Sequence, residues 1–162
     1  MHPLCARQLW ADKGFFYLGI KLNSVYRAAF SARKQFASLL GGAVPVVQIA
    51  DVPREPFKGG ATYQTIVGDQ QGSTPIRVGI QTSPPGYKTA LHSHPYMETV
   101  TVLEGEGEAW LEGRGGLISL QPGSTLVFPP NLQHWFRATG TSPLVTFGVH
   151  ASPHRIVNVH GE

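Results

Sequence analysis

An all-β sandwich or barrel is the fold class that this sequence predicts, and three observations support it. From Val44 onward, short apolar runs alternate with clusters of Gly, Pro, Asn, Asp and Ser. No long amphipathic helix interrupts this region, which argues against the alternating strands and helices of a parallel sheet. Charged residues make up only 14% of the chain, beside 19 Gly and 13 Pro, a composition untypical of coiled coils, helical bundles and disordered tails.

Length, hydropathy and cysteine content limit the number of domains and exclude several kinds of site. A chain of 162 residues has the usual size of one domain. No window reaches the roughly 18 uninterrupted apolar residues of a membrane-spanning helix, since even the stretch 15–22 contains Lys21. Cys5 is the single cysteine, which excludes an intramolecular disulfide and a thiolate-based zinc site. We therefore expect one domain without a membrane span.

The first 43 residues differ from the rest in charge and in proline content. Residues 1–43 hold six basic residues and one acidic residue, a net charge of +5, whereas residues 44–162 hold seven basic and nine acidic residues, a net charge of −2. Twelve of the thirteen prolines lie at or after Pro45. We therefore expect a basic N-terminal extension at 1–43 and one β-domain at 44–162. Because that domain is mildly acidic, we expect no nucleic-acid binding.

The extension is predicted to be partly helical. Ser24 can cap a helix that runs to Leu40 and ends at the glycine pair 41–42. Its composition, without an acidic residue between Lys13 and Asp51, is also found in transit peptides and membrane-surface helices. It is therefore a packing arm, a targeting segment, or sequence upstream of the true start. We expect a cytoplasmic protein, with targeting by this segment as the alternative.

Ten short segments of the β-domain are predicted strands. The tripeptide 105–107, Gly-Glu-Gly, separates two of them and predicts a tight hairpin. The predicted strands are 45–52, 62–68, 76–83, 89–94, 98–103, 108–111, 117–120, 125–128, 134–138 and 145–150.

Residues 92–98, which read HSHPYME, contain three side chains that can bind a metal ion. Successive side chains of a strand point to opposite faces, so His92, His94 and Glu98 are expected to point the same way, counting evenly through the bend at Pro95. Imidazole nitrogens and carboxylate oxygens without thiolate suit Fe, Mn, Ni, Zn or Cu. His134, on a later strand, is the best-placed fourth ligand. Polar residues on a half-exposed strand are the alternative interpretation of the histidine pair.

The spacing of these residues resembles the first conserved motif of the cupin superfamily. Gly86, His92, His94, Glu98 and Gly105 stand at every defined position of that motif. This complete match favours a metal site over a solvated strand.

A second cupin motif is matched in part. Gly123, Pro129 and His134 follow its pattern, while Asn131 stands where the family has Gly and Ala138 where it has Asn. Asn tolerates the left-handed backbone conformation that Gly supplies, so Asn131 is a mild departure. The two glycines that delimit the motifs, 105 and 123, are separated by 17 residues, as in small single-domain cupins.

The resemblance covers about residues 60–149 and implies a double-stranded β-helix, or jelly-roll, barrel with one divalent metal inside. It implies His92, His94, Glu98 and His134 as the ligands. It does not imply a reaction, because the superfamily includes dioxygenases, decarboxylases, isomerases, epimerases, sugar-binding regulators and storage proteins.

Seven further residues are candidates for the lining of a substrate pocket. The apolar and aromatic members share the strand parity of the ligands, and the polar members lie close to the motifs in sequence. Core packing is the alternative for the aromatic side chains, and simple solvation for the strand-end histidine. The candidates are Gln81, Lys88, Tyr96, Val100, Val102, Phe136 and His150.

Two classes of function follow: a metal-dependent enzyme acting on a small organic molecule, and a non-catalytic module that binds or senses a small molecule or sugar. The sequence identifies no catalytic acid or base, and no second carboxylate shares the face of Glu98. Dioxygenase-type chemistry, an oxidoreductase function, is favoured because it needs no such base, unlike an isomerase or lyase. We also expect a homodimer, because a small barrel with few charges has apolar strand faces to cover.

Overall fold

The computed structural model describes residues 46–161, which form an all-β fold of eleven strands in two sheets. Two single 3-10 turns, Ile49–Asp51 and Lys58–Gly60, precede the second strand. The strands are β1 Glu55–Pro56, β2 Thr62–Val67, β3 Arg77–Ser83, β4 His92–Ser93, β5 Glu98–Glu104, β6 Gly107–Leu111, β7 Ile118–Leu120, β8 Thr125–Phe128, β9 His134–Ala138, β10 Leu144–His150 and β11 Asn158–Val159.

The chain passes back and forth between the two sheets. One sheet has the order β1-β2-β3-β10-β5-β8 and the other the order β11-β4-β9-β6-β7, and all strand pairs are antiparallel. From β3 onward, only β6 and β7 follow each other within one sheet. This alternation is the winding of a double-stranded β-helix, as predicted.

Alternating side chains fill the space between the sheets. Along β10, every second residue from Leu144 to His150 is buried, and the intervening residues are partly exposed. β5 repeats this pattern from Glu98 to Val102. At one end the interior is an apolar core, because the inward positions there carry aliphatic or aromatic side chains. The buried members of this core are Val100, Val102, Ala109, Leu120, Leu126, Phe128, Phe136, Ala138 and Leu144.

Two local predictions are wrong. Residues 46–52 form no strand but contain the 3-10 turn Ile49–Asp51, and position 45 lies outside the described residues. The tripeptide 105–107 is no hairpin, because β5 and β6 belong to different sheets. Gly105 has a φ of 79° and the backbone of Pro143 close above it, so a glycine is required where the chain crosses between the sheets.

The remaining predicted strands are present with small shifts at their ends, except that the segment 89–94 is reduced to β4, His92–Ser93. The predicted extension at 1–43 and its helix lie outside the described residues. No helix among residues 46–161 is long and apolar enough to cross a membrane.

Candidate metal centre

The four residues predicted as ligands converge between the sheets. His92 lies in β4 directly opposite His134 in β9, and Glu98 begins β5 in the facing sheet. One ligand atom from each of these residues and from His94 lies within 4.8 Å of the others. At most 9% of the surface of each of the four residues is exposed, so the cluster is almost fully shielded from bulk water.

Backbone hydrogen bonds orient the three imidazoles. Nδ1 of His92 is 2.8 Å from the carbonyl oxygen of Ala90, and Nδ1 of His134 is 2.9 Å from that of Leu132. Nδ1 of His94 is 2.5 Å from the carbonyl oxygen of Ile156. A carbonyl only accepts, so each neutral ring carries its proton on Nδ1 and its lone pair on Nε2. This is the tautomer that a metal-binding histidine requires.

The carboxylate of Glu98 faces these lone pairs. Its Oε2 atom lies 3.2 Å from Nε2 of His94 and 3.3 Å from Nε2 of His134. Both Oε2 of Glu98 and Nε2 of His134 are buried without a hydrogen-bond partner. Lone pairs at this distance repel unless a cation lies between them, either a proton or a metal ion. The geometry of this donor set therefore fits one divalent transition metal.

The electrostatics of the cluster favour a neutral His92 and an ionised Glu98, the forms that bind a metal. Burial lowers the pKa of His92 to about 4, helped by the neighbouring His134. Burial alone would raise the pKa of Glu98, but the neighbouring imidazoles of His134, His94 and His150 lower it well below its usual range, so the carboxylate stays ionised. Burial opposes a charge on His94, yet the Glu98 carboxylate 3.2 Å from its Nε2 raises the pKa of His94 overall, so a proton competes with a metal for this nitrogen.

Packing around the cluster holds the rings in place. The ring of Phe128 stacks on His134 with centroids 3.8 Å apart, and Tyr96 stacks on His94 with centroids 5.3 Å apart. The backbone N–H of Asn131 donates to the backbone carbonyl oxygen of His94 at 2.7 Å. Asn131 has a φ of 66°, which confirms the left-handed conformation predicted for this position.

A cavity of about 190 Å³ opens beside the cluster. Drug-sized ligand sites have roughly 300–1,000 Å³, so this cavity suits a smaller molecule. Its wall combines cluster residues, aromatic rings and a few polar groups. The lining residues are Phe57, Tyr63, Gln81, Tyr87, Thr89, Ala90, His92, His94, Glu98, Val100, Phe136, Thr146, Gly148, His150, Arg155 and Val157.

Four of the seven predicted pocket residues line this cavity: Gln81, Val100, Phe136 and His150. Of these, His150 lies nearest to the carboxylate of the cluster. It pairs with Glu98 across β10 and β5, and its Nε2 is 3.5 Å from Oε1 of Glu98. Its Nδ1 is buried without a hydrogen-bond partner, and burial lowers its pKa to about 4. His150 is therefore a neutral imidazole in the cavity wall.

The other three predicted pocket residues lie elsewhere. Lys88 is exposed, with Nζ 3.9 Å from the ring centroid of Trp135. Val102 shares the parity of Glu98 but lies deeper, in the apolar core. Tyr96 is buried against His94 and uses its hydroxyl to hold the backbone of Ile156.

Tyr63 and Arg155 are among the cavity residues that sequence reasoning missed. Tyr63 lies in β2 opposite Gln81 in β3, and Gln81 lies opposite Thr146 in β10, so all three reach the cavity from one row of the sheet. Arg155 comes from the segment after β10. The strand order is needed to predict either residue, because β2 and this segment lie far from the motifs in sequence.

Two glycines, Gly79 and Gly148, lie opposite each other in the sheet beside the cavity, and Gly148 lines it. Gly79 in β3 lies opposite Gly148 in β10, and Gly148 lies opposite Val100 in β5. A β-carbon on Gly79 would lie 2.5 Å from Cε1 of Tyr63, whereas one on Gly148 would meet no atom within 4 Å. The missing side chains therefore admit the Tyr63 ring over Gly79 and leave open space over Gly148.

Comparisons with known proteins agree with this architecture. The family model described as a cupin domain matches residues 79–150. The auxin-binding protein T92 of Nicotiana tabacum is 31% identical over 111 residues, 62% of this chain and 59% of that protein. The (R)-mandelonitrile lyase of Granulicella tundricola is 35% identical over 65 residues, 40% of this chain and 49% of that enzyme. The chain thus spans less than two thirds of the length of these curated relatives.

A solved structure shows the same fold. The crystal structure of a cupin-like protein from Thermotoga maritima superposes with a TM-score of 0.58 at 23% identity, covering 74% of this chain and 90% of that chain. Together with the family match over residues 79–150 and the winding of the two sheets, this likeness shows that the chain contains a cupin domain.

Proposed function

We propose that this protein is a metal-dependent enzyme that acts on a small organic molecule inside the barrel. The observation that carries the proposal is the convergence of three imidazoles on one buried carboxylate, beside a cavity. His92, His94, His134 and Glu98 would hold the metal. Four protein ligands leave up to two positions of an octahedral site for water or substrate.

Dioxygenase-type chemistry, an oxidoreductase function, is the reaction class that we favour. Glu98 is the one carboxylate among the residues that line the cavity, and it belongs to the proposed ligand set. A bound Fe, Mn, Ni or Cu ion would supply the oxygen chemistry. The remaining task of the protein is to orient the substrate and exclude water, for which the apolar side chains of Val100 and Phe136 are suited.

Lyase- or isomerase-type chemistry is the second candidate, and His150 supports it. Such reactions need a side chain that can exchange a proton with the substrate, and His150 brings an imidazole to the cavity wall. The relative from Granulicella tundricola, which is named a mandelonitrile lyase, is consistent with this class.

Metal analysis of purified, untagged protein tests the site. We expect about one equivalent of divalent metal in the parent and loss of most of it in His92→Ala and His134→Ala. The matched control is His154→Ala, which removes an exposed histidine outside the cluster. Equal metal content in the parent and the two cluster variants would show that the site is misassigned.

Turnover tests the reaction class. Metal-free protein is loaded anaerobically with Fe(II), Mn(II), Ni(II) or Cu(II) and then screened for oxygen uptake and products with phenolic, diketone, thiol and sugar-acid substrates. Oxygen uptake would support the dioxygenase, and product formation without oxygen would support the lyase or isomerase. A ligand that raises the melting temperature without any turnover would support a non-catalytic binding or sensing module instead.

A homodimer is part of the proposal. Apolar side chains with 44–54% of their surface exposed remain on several strands and turns of the barrel, among them Leu103, Leu117 and Val127. A two-fold pairing is the commonest way to cover such surfaces. Light scattering should give twice the monomer mass at micromolar concentration, and a monomer mass would contradict this part.

A further inference from the structure

The carbonyl group that orients His94 comes from a distant part of the chain. In His92 and His134, Nδ1 lies within hydrogen-bond distance of the carbonyl oxygen two residues earlier. The partner of His94 is instead the carbonyl oxygen of Ile156, 62 residues later. The orientation of this imidazole therefore depends on how residues 151–161, the C-terminal segment, lie on the barrel.

Two sets of hydrogen bonds anchor the C-terminal segment. The hydroxyl of Tyr96 accepts from the N–H of Ile156 at 2.9 Å and donates to the carbonyl oxygen of Ile156 at 3.2 Å. The N–H of His160 donates to the carbonyl oxygen of Leu91 at 2.9 Å, and Nε2 of His160 is 2.8 Å from Oγ of Ser93. Between these anchors, β11 pairs with β4. Both sets tie the segment to the part of the chain that carries two of the cluster imidazoles.

Burial of apolar side chains contributes little to this docking. The side chains of Ile156 and Val159 are 46% and 62% exposed, and Asn158 is exposed as well. β11 consists of two residues at the edge of its sheet. A segment with few buried apolar contacts opens at a lower free energy than the core of a domain. We therefore expect the C-terminal segment to open locally while the barrel stays folded.

We propose, resting on the metal site proposed above, that the C-terminal segment is a positioning element of that site and must be docked for His94 to bind the metal with full affinity. Docking supplies the Ile156 carbonyl that keeps the proton of His94 on Nδ1 and leaves Nε2 facing Glu98. The same segment contributes Arg155 and Val157 to the cavity wall. Docking therefore orients a ligand and completes the wall in one step.

The magnitude of this coupling follows from the general role of such partners. Loss of the group that orients a metal-binding histidine typically weakens metal binding by about 10–100-fold. Coupling between two binding events is reciprocal, so a bound metal should disfavour opening of the segment by the same factor. Backbone amides that exchange through this opening should be protected to the same extent.

Hydrogen exchange measured by NMR, with and without zinc, tests the coupling, because zinc is redox-inert. The reporting amides are those of Ile156 and His160, whose hydrogen bonds break when the segment opens. The reference is the amide of Ser124, which donates to the carbonyl oxygen of Gln121 in the turn before β8. We expect zinc to slow exchange at Ile156 and His160 by about 10–100-fold and to change Ser124 little. Unchanged exchange at Ile156 and His160, or equal slowing at Ser124, would overturn the proposal.

Two variants distinguish the cluster from zinc bound by the segment itself. His134→Ala removes a cluster ligand, so zinc at the same concentration should no longer slow exchange at Ile156. His154→Ala removes an exposed histidine of the segment and should keep the parental effect of zinc. A zinc effect that survives in His134→Ala or disappears in His154→Ala would overturn the proposal.

A variant without the anchors tests the coupling in the other direction. His160→Pro removes both the N–H that donates to Leu91 and the imidazole that contacts Ser93. Combined with Tyr96→Phe, it should weaken zinc binding about tenfold in competition with a chelator. The control His154→Ala should bind zinc as the parent does. Parental zinc affinity in the double variant would overturn the proposal.

Metal analysis of the same samples separates this inference from the proposed function. Parent protein that takes up no zinc would contradict the metal-dependent function and the coupling together. Parent protein that takes up zinc, while Ile156 and His160 exchange as they do without metal, would overturn the coupling alone.

Discussion

Replacing Gly79 or Gly148 by alanine should have different effects on stability, although the two residues are directly opposite each other on neighbouring strands. Neither residue has a positive φ, so a β-carbon causes no backbone strain at either position. At Gly79 the new methyl group would lie 2.5 Å from Cε1 of Tyr63, and closer still to the hydroxyl end of that ring. At Gly148 it would project into open cavity space.

The magnitudes follow from these distances. The ring of Tyr63 is 5% exposed and cannot swing out freely, so overpacking in Gly79→Ala should lower the free energy of unfolding by about 1–3 kcal/mol. Gly148→Ala adds no clash and restricts the unfolded chain, which should raise the free energy of unfolding by up to about 1 kcal/mol. The two variants should therefore differ by at least about 1 kcal/mol, and Gly79→Ala should be the less stable one.

Urea unfolding of metal-free protein measures the difference, and a double-mutant cycle identifies its cause. Tyr63→Leu removes the hydroxyl end of the ring that Gly79→Ala would meet, so the two substitutions should couple favourably by about 0.5–3 kcal/mol. Tyr63→Leu combined with Gly148→Ala is the control and should show additive effects. Equal destabilisation by the two alanine substitutions, or no coupling between positions 63 and 79, would refute the packing described for this part of the cavity.

Three further predictions concern the surroundings of the cluster. Asn131→Ala should lower the free energy of unfolding in urea by about 1–2 kcal/mol, because alanine lacks the short polar side chain that lets asparagine adopt the left-handed φ of 66°. Asn131→Gly should be close to neutral, because glycine has no β-carbon to strain. Tyr96→Phe should lower the free energy of unfolding by about 1–3 kcal/mol, because the N–H of Ile156 loses its acceptor, the Tyr96 hydroxyl at 2.9 Å. Hydrogen exchange at the backbone amide of Ile156 should become faster. The folded-state pKa values of His92 and His150 are lowered to about 4. These values lie below the unfolded value of about 6.5, so the unfolded chain takes up protons first. Melting curves of metal-free protein should therefore show stability falling as pH decreases from 6.5 towards 4, and a melting temperature constant across that range would contradict this assignment.

The sequence by itself determined the fold class and three members of the cluster from local rules, because alternation along a strand predicts His92, His94 and Glu98 on one side and turn residues separate the strands. His134 lies on a distant strand, and its place in the cluster was implied by the resemblance to the cupin motifs. The position of Asn131 was also predictable from a local rule, because a left-handed residue is a property of its own backbone.

The tertiary structure decided which strands are neighbours. The hairpin predicted at 105–107 is wrong because the choice of sheet depends on contacts with residues distant in sequence, such as the approach of Pro143 to Gly105. The alternation of side chains along β5 correctly predicted that Val102 points into the barrel. It could not predict whether Val102 lines the cavity or lies in the apolar core, because that depends on how the core packs.

The contents of the cavity likewise depended on the assembled sheets. Tyr63 and Arg155 reach it from opposite ends of the described chain, and His150 meets Glu98 only because β10 pairs with β5. The spacing of residues within a sequence motif predicts only which side chains a single strand or turn brings together. The register between distant strands arises from the burial of whole sheet faces, so these three cavity residues become evident only in the folded barrel.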